Sequence, residues 1–143
     1  MPKNVLIIMT DQQRKDSLGC YGNTVCRTPN LDRLASEGVR FERNYVANPI
    51  CMPSRMSMFT GRTPRGHGLW TNGLMIDECP TVARHFAQHG YATGSIGKIH
   101  FTPTGAEGEH MESRAKWACG DGPSLWHGSY WGFDYVELTI GHS

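Results

Sequence analysis

The residues best placed to do chemistry lie in the run Cys51-Met52-Pro53-Ser54-Arg55, which is followed by Thr60-Gly61-Arg62. Pro53 predicts the start of a short helix, and Gly61 predicts its end. Cys51 would then lie just before a helix N-terminus, where free N–H groups and the helix dipole favour negative charge. The alternative is a small buried cysteine at the start of a helix, because free cysteine is among the most buried residue types.

Other candidate site residues follow strand-like segments. The apolar run Val5–Met9 predicts a parallel strand covered on both faces, with Asp11 at its carboxyl end. A second segment, Tyr91–Gly97, predicts a strand that is followed by Lys98-Ile99-His100. Ligands of open α/β sheets collect at these strand ends. Taken alone, however, Asp11 could cap a helix, and the lysine and histidine could be surface and core residues.

The remaining elements predict the α/β fold class, because strands and helices alternate along the chain. Thr28-Pro29 and Gly38 are typical of the two ends of a helix. Further predicted elements are a strand or extended arm at Val39–Val46, a helix at Thr81–His89 with Val82 and Phe86 buried, and a last strand at Tyr135–Ile140. The tryptophans Trp117, Trp126 and Trp131 are expected to be packing anchors.

Composition argues against several classes of partner. A net charge of +1 and a pI near 7.7 give no electrostatic case for nucleic acid or an acidic membrane. The longest apolar run is too short for a membrane span. The residues after Met1 do not resemble a signal peptide, so the expected location is cytoplasmic. Four cysteines besides Cys51 are expected to be free thiols: Cys20, Cys26, Cys79 and Cys119.

The cysteine motif with its trailing Thr-Gly-Arg resembles the signature of the type I sulfatases. In a chain of this composition Cys-x-Pro-x-Arg alone is expected about 0.02 times by chance. Other blocks resemble the family in the same order: Asn4–Gln12, Leu18–Gly22, Thr28–Leu34 and Gly97–His100. The resemblance implies an alkaline-phosphatase-like sandwich with a mostly parallel central sheet flanked by helices. Residues 1–143 would be the N-terminal part of its catalytic domain, since family members run several hundred residues.

The resemblance also implies the catalytic roles. Cys51 would be oxidised to formylglycine, whose hydrate is the nucleophile, by a formylglycine-generating enzyme or an anaerobic maturase. Arg55, one turn later, would stabilise the developing charge of that hydrate. Lys98 would bind a sulfate oxygen, and His100 would hold either the hydrate or a substrate oxygen.

Metal binding and substrate preference are likewise implied by the resemblance. Asp11 would be the first ligand of a divalent cation, with calcium expected first and magnesium or manganese as alternatives, and residue 51 would also touch the metal. The pair Asp11-Gln12 is similar to the choline-sulfatase and phosphonate-monoesterase branch. Asn72 matches a substrate-binding asparagine of that branch, although Asn72-Gly73 is also a strong turn signal.

The expected reaction is therefore hydrolysis of a small-molecule sulfate ester to an alcohol and sulfate. An alternative is a phosphonate monoester or phosphodiester hydrolase with the same nucleophile, and a third is a non-catalytic fragment in which Cys51 is unmodified. A homo-oligomer remains possible. Residues 1–143 alone are expected to be inactive, because the family's remaining metal ligands lie beyond position 143.

Overall fold

The structure, a computed structural model, describes residues 3–104, 111–113 and 128–139. The chain divides into two compact units, Met1–Asn44 and Tyr45–Ser143, which are described separately below. None of the helices in the described part of the chain is long and apolar enough to cross a membrane.

The first unit contains one α-helix, α1 (Pro29–Glu37), preceded by two short 3₁₀ turns at Lys15–Ser17 and Gly19–Tyr21. Proline at the first position suits the helix start because its missing N–H would have had no partner there. The helix ends where the Gly38 N–H donates to the Leu34 carbonyl at 3.0 Å. Both predicted ends of α1 are confirmed.

Polar contacts around Asp32 join α1 to the second 3₁₀ turn. The Cys20 N–H donates to Asp32 Oδ1 at 2.6 Å, and the Thr28 hydroxyl donates to the same oxygen at 3.0 Å. The Gly19 N–H donates to Thr28 Oγ1 at 2.8 Å. Thr28 therefore serves the turn rather than capping its own helix with its side chain.

The predicted strand Val5–Met9 is absent. Its residues have no strand structure and their side chains are exposed, with Leu6 83% accessible. Val39–Val46, predicted as a strand or an extended arm, also has no strand structure and is exposed throughout. A strand needs a hydrogen-bonded neighbour, and the only strand pairing in the described residues joins two segments of the other unit. The apolar run therefore has the residue types of a strand, but no other described segment pairs with it.

The second unit is built on a hydrophobic core around helix α2 (Cys51–Thr60). Two shorter helices, α3 (Pro64–His67) and α4 (Val82–Gln88), follow it along the chain. The buried apolar side chains are Met52, Met56, Phe59, Leu69, Ala83, Ile99, Phe101, Trp131, Phe133, Val136 and Leu138. Trp131 is thus a packing residue as predicted, whereas Trp117 and Trp126 lie outside the described residues.

Helix α2 begins at Cys51 itself, two residues earlier than predicted. Ile50 has extended backbone and precedes the helix, so Cys51 is its first helical residue rather than the residue before it. Pro53 occupies the third position, which it tolerates because N–H groups of the first turn have no helical acceptor. Gly61 adopts the left-handed conformation with φ of 66° and ends the helix as predicted.

A parallel pair of strands, β1 (Gly94–Gly97) and β2 (Tyr135–Leu138), lies beside this core. The register pairs Gly94 with Tyr135 and Gly97 with Leu138. Residues of β2 alternate between exposed and buried, as expected for a strand with one face on the core. Both strands fall inside their predicted segments, and Ile140 lies outside the described residues.

Helix α4 confirms the element predicted between Thr81 and His89. The Thr81 hydroxyl accepts a hydrogen bond from the Arg84 N–H at 3.2 Å and donates to the Trp131 carbonyl at 2.6 Å. The predicted burial is only partly right, because Val82 and Phe86 are half-buried while Ala83 is fully buried.

Candidate active site

The N-terminus of α2 places Cys51 beside Asn72. Cys51 is half-buried at the first helical position. Asn72 Oδ1 accepts a hydrogen bond from the Met52 N–H at 3.0 Å, so its side chain occupies the helix end. Gly73 has φ of +87°, so the turn predicted at Asn72-Gly73 is confirmed, while the substrate-binding role of Asn72 stays a prediction. The donor amide of Asn72 is held next to residue 51.

Arg55 connects helix α2 to the segment after β1. Its side chain is buried, and its guanidinium donates from Nη1 to the Lys98 carbonyl at 2.5 Å. Arg55 lies one turn beyond Cys51 on the same helix. The structure therefore brings together three of the predicted residues: Cys51, Arg55 and Lys98.

The segment from Lys98 to Thr102 alternates between the core and polar surroundings. Ile99 and Phe101 are buried in the hydrophobic core, and the Phe101 ring packs edge-on against Phe59 with centroids 5.2 Å apart. His100 lies between them, 9% exposed, with a backbone φ of 60°. This left-handed conformation is uncommon for residues other than glycine and marks a locally constrained backbone.

A buried glutamate, Glu112, holds this segment through its backbone. Its carboxylate accepts hydrogen bonds from the N–H groups of His100, of Phe101 at 2.8 Å and of Thr102 at 2.9 Å. The Tyr130 hydroxyl also donates to it at 2.8 Å. Burial, reinforced by the negative charge of Glu112, raises the pKa of Tyr130 far above its usual value, so the phenol remains a donor.

Glu112 and Tyr130 were not among the predicted site residues. The segment around Glu112 shows neither helical nor strand periodicity, and a single acidic residue in a loop is ordinarily exposed. The only indication in the sequence is that charged and hydroxyl residues follow the Gly-Lys-x-His element, and this pattern does not single out Glu112.

His67 is buried at the contact between α2 and α3, where it pairs with Ser57. Its Nδ1 accepts from the Leu69 N–H at 3.1 Å, so the proton of the neutral ring is on Nε2, which lies 2.9 Å from Ser57 Oγ. Burial lowers the pKa of His67. Ser57 lies six residues after Cys51, on another side of the helix. The pair therefore joins α2 to α3 and lies away from Cys51.

The predicted metal ligands do not form a complete site. Asp11 is exposed and belongs to the first unit, so the geometry around Cys51 does not test its role. Within residues 3–104, 111–113 and 128–139, no group of three or more His, Cys, Asp or Glu side chains is arranged to hold a metal ion.

The arrangement at α2 suits the binding of an anion. A helix N-terminus contributes partial positive charge, and Arg55 and Lys98 contribute two cationic groups from adjoining elements. Asn72 adds a neutral donor. This combination favours negative charge near the N-terminus of α2.

Comparisons with known proteins identify the family of this chain. The family model described as Sulfatase matches residues 3–136. The uncharacterized sulfatase YidJ of Escherichia coli is 36% identical over 140 residues, which cover 95% of this chain and 26% of that protein. Human arylsulfatase A is 41% identical over 118 residues, covering 77% of this chain and 23% of that protein. The chain belongs to the sulfatase family.

A solved structure shares the fold. It is that of BT4656 in complex with its substrate D-glucosamine-2-N,6-O-disulfate, with a TM-score of 0.59 and 28% identity, covering 74% of this chain and 21% of that one. The predicted α/β fold of the alkaline-phosphatase-like type is confirmed. This chain spans about a quarter of the length of the curated relatives it matches. The choline-sulfatase-like branch stays a prediction.

Proposed function

We propose that the full-length protein containing this chain is a sulfuric ester hydrolase whose nucleophile derives from Cys51. The observation that carries the proposal is the position of Cys51 as the first residue of α2, beside Asn72 and one turn before Arg55. Family membership supports the reaction class.

The proposed mechanism assigns a task to each side chain. Sulfatases use a formylglycine, which in its hydrated form supplies the nucleophilic oxygen. The helix N-terminus, Lys98 and Arg55 lower the cost of bringing that group against an anionic sulfate, because they place positive charge around both. Arg55 also fixes the Lys98 backbone, and His100 holds a substrate oxygen or the nucleophile.

A divalent metal is a general feature of sulfatases, and we propose Asp11 and residue 51 as two of its ligands here. Hard divalent cations prefer oxygen, which suits a carboxylate. Calcium is the proposed ion, with magnesium and manganese as alternatives. Equilibrium dialysis of the full-length protein against each ion, with and without Asp11→Ala, tests both the ion and the ligand.

The proposed substrate class is a small-molecule sulfate ester. The solved relative BT4656 is in complex with a disulfated glucosamine as its substrate, which makes sulfated sugars a natural group to test first. A second candidate is phosphonate monoester hydrolysis with the same nucleophile, because Asn72, which contacts the N-terminus of α2, matches a substrate-binding asparagine of a branch that contains both choline sulfatases and phosphonate hydrolases.

Two measurements on the full-length protein test the proposal. Peptide mapping by mass spectrometry should show the Cys51 peptide at the mass of formylglycine or its hydrate when the protein is produced with a maturation enzyme. Turnover of 4-nitrophenyl sulfate should exceed turnover of an aryl phosphonate monoester. Unmodified cysteine together with no turnover of either compound would reject the proposal, whereas faster phosphonate turnover would favour the second candidate.

The cellular setting is also part of the proposal. We propose a cytoplasmic enzyme that depends on a formylglycine-generating enzyme or an anaerobic maturase. Residues 1–143 alone are proposed to be inactive, since they offer no complete metal site among the described residues. Fractionation of the native host with an antibody against the protein tests the location.

A further inference from the structure

We propose that Glu112 is a positioning residue for the reaction, because its buried carboxylate fixes the backbone conformation of His100. The inference rests on the proposed function and deepens it by naming a residue outside the family motif that controls one of its groups. Glu112 itself contacts only the turn and Tyr130 among the hydrogen bonds described above, and it acts through His100.

The contacts of Glu112 are directed at one stretch of backbone. Three successive N–H groups, those of residues 100–102, converge on its two oxygens. The Thr102 hydroxyl adds a fourth donor at 3.2 Å and the Tyr130 hydroxyl a fifth at 2.8 Å. Successive N–H groups that point to one side form an anion-binding concavity. Here the anion is a side chain of the same protein.

Because Glu112 is buried, its hydrogen bonds matter for the conformation of the turn. Glu112 is only 1% exposed, and a buried carboxylate is strongly disfavoured unless it is hydrogen-bonded. The five donors supply that compensation. Conversely, the three N–H groups need an acceptor, because water reaches this buried stretch poorly. The turn and the carboxylate therefore hold each other in one conformation.

The conformation of His100 shows what the carboxylate controls. Its φ of 60° lies in the left-handed region, which a residue with a side chain adopts only when its surroundings impose it. Its N–H donates to Glu112 Oε1, while the next two N–H groups donate to Oε2. Glu112 Oε1 therefore acts on His100, and Oε2 acts on the rest of the turn.

The turn is attached at both ends. Arg55 binds the Lys98 carbonyl from helix α2, and Glu112 binds the backbone from His100 onward. Lys98 and His100 thus lie between one attachment to the helix that carries Cys51 and another to the buried carboxylate. Loss of the second attachment allows His100 to leave its left-handed conformation while Lys98 stays fixed.

The variant Glu112→Gln tests this division of roles. Four of the five donors reach Oε2, so the amide oxygen should take that position and leave the amide NH₂ facing the His100 N–H. The His100 contact is then lost selectively. In the full-length enzyme we expect kcat for 4-nitrophenyl sulfate to fall by about 10–10²-fold, as expected for a displaced catalytic group, while KM changes less than about threefold. Glu137→Gln, an exposed glutamate on β2, is the matched control and should behave as wild type.

A double-mutant cycle with His100→Gln distinguishes positioning from general stabilisation. If Glu112 acts through His100, adding Glu112→Gln to His100→Gln should lower kcat no further. The proposal would be overturned if the double variant lost kcat by the product of the two single losses. It would also be overturned if Glu112→Gln had a normal kcat and only a lower Tm. Should Glu112→Gln fail to fold, Glu112→Asp, which keeps the charge but shortens the reach, replaces it in the same cycle.

A failure of the proposed function is distinguishable from a failure of this inference. If the wild-type protein hydrolyses neither aryl sulfate nor aryl phosphonate, the proposed function fails. The ¹⁵N chemical shifts of the His100 ring, assigned with His100→Gln, then decide the inference alone. A changed ring signal in folded Glu112→Gln supports it, and an unchanged signal overturns it.

Discussion

The two units of the chain differ in how they use apolar residues. The described residues of the second unit enclose a core in which Phe101, Met52 and Val136 are fully buried. In the first unit none of residues 3–44 is buried, and Leu34 remains 64% exposed. The sequences of both units contain good helix ends and apolar runs. The difference shows that local signals place helices, whereas burial depends on partners from distant parts of the chain.

The polar contacts of the two units differ in burial. In the first unit, the Tyr21 hydroxyl donates to the Phe41 carbonyl across 20 positions, and this contact is exposed. In the second, the buried Arg55 side chain binds the Lys98 carbonyl across 43 positions. The candidate active site lies where a long-range polar contact adjoins the buried core.

The largest expected effect tests whether the chemistry belongs to the second unit. In the full-length protein, Cys51→Ala should abolish sulfate ester hydrolysis, because alanine cannot be converted to formylglycine. Cys26→Ala replaces an exposed cysteine of the first unit and should retain normal turnover. Steady-state kinetics with 4-nitrophenyl sulfate measure both. Wild-type rates for Cys51→Ala would reject the formylglycine hypothesis.

A second test compares the apolar residues of the two units directly. Phe101→Ala should reduce the free energy of unfolding by about 3–5 kcal/mol, because it leaves a cavity beside Phe59 and Trp131. Leu34→Ala should change it by less than about 0.5 kcal/mol, as expected for an exposed side chain. Denaturant unfolding of the full-length variants measures both values. A loss of several kcal/mol for Leu34→Ala would contradict the described exposure and indicate that other parts of the protein cover α1.

A third test concerns close backbone packing in the first unit. A Cβ at Gly19 would lie 2.5 Å from Asp32 Oδ2, so Gly19→Ala should displace the carboxylate and cost about 1–3 kcal/mol. Gly66→Ala in α3 meets nothing nearer than 3.5 Å and should be neutral or slightly stabilising. Thermal melts compare the two variants. Equal Tm values would show that Asp32 moves aside without cost.

The smallest effect concerns His67 and pH. Because burial lowers its pKa, His67 in the folded protein takes up a proton at lower pH than in the unfolded chain, where its pKa is the usual 6.5. His67 therefore contributes to the free energy of unfolding above pH 6.5, and this contribution is lost as the pH falls below 6.5. Between pH 6.5 and 5, the Tm of His67→Gln should fall by about 1–3 °C less than the Tm of the wild type. Parallel Tm curves for variant and wild type would argue against a neutral buried His67.

Local chemistry explains why much of the second unit could be predicted from sequence. Gly61 ends α2 because it adopts a left-handed conformation, and the strand segments before Lys98 and around Val136 show suitable residue types. In these cases the signal lies within a few residues of the feature. Asn72, 21 positions after Cys51, was instead predicted from the family resemblance, and the structure places it at the N-terminus of the same helix.

The sequence did not predict features that depend on contacts with another part of the chain. Val5–Met9 has the composition of a buried strand, but pairing requires another strand at the right place. Glutamate is a residue type usually found at the surface, but Glu112 is buried because its carboxylate accepts hydrogen bonds from three backbone N–H groups ten to twelve positions earlier. Neither partner can be read from the residues themselves.

The parallel pairing of β1 with β2 has a consequence for the order of events during synthesis. Contacts such as the Thr93 N–H to Asp134 span 41 positions, and such non-local contacts form slowly because a long loop must close first. Pro53 and Arg55 become buried in the finished fold. The proposed maturation enzyme, which would read these two side chains in order to oxidise Cys51, would have to reach them earlier. Slow closure of the strand pair would lengthen the interval in which the nascent motif is an accessible peptide.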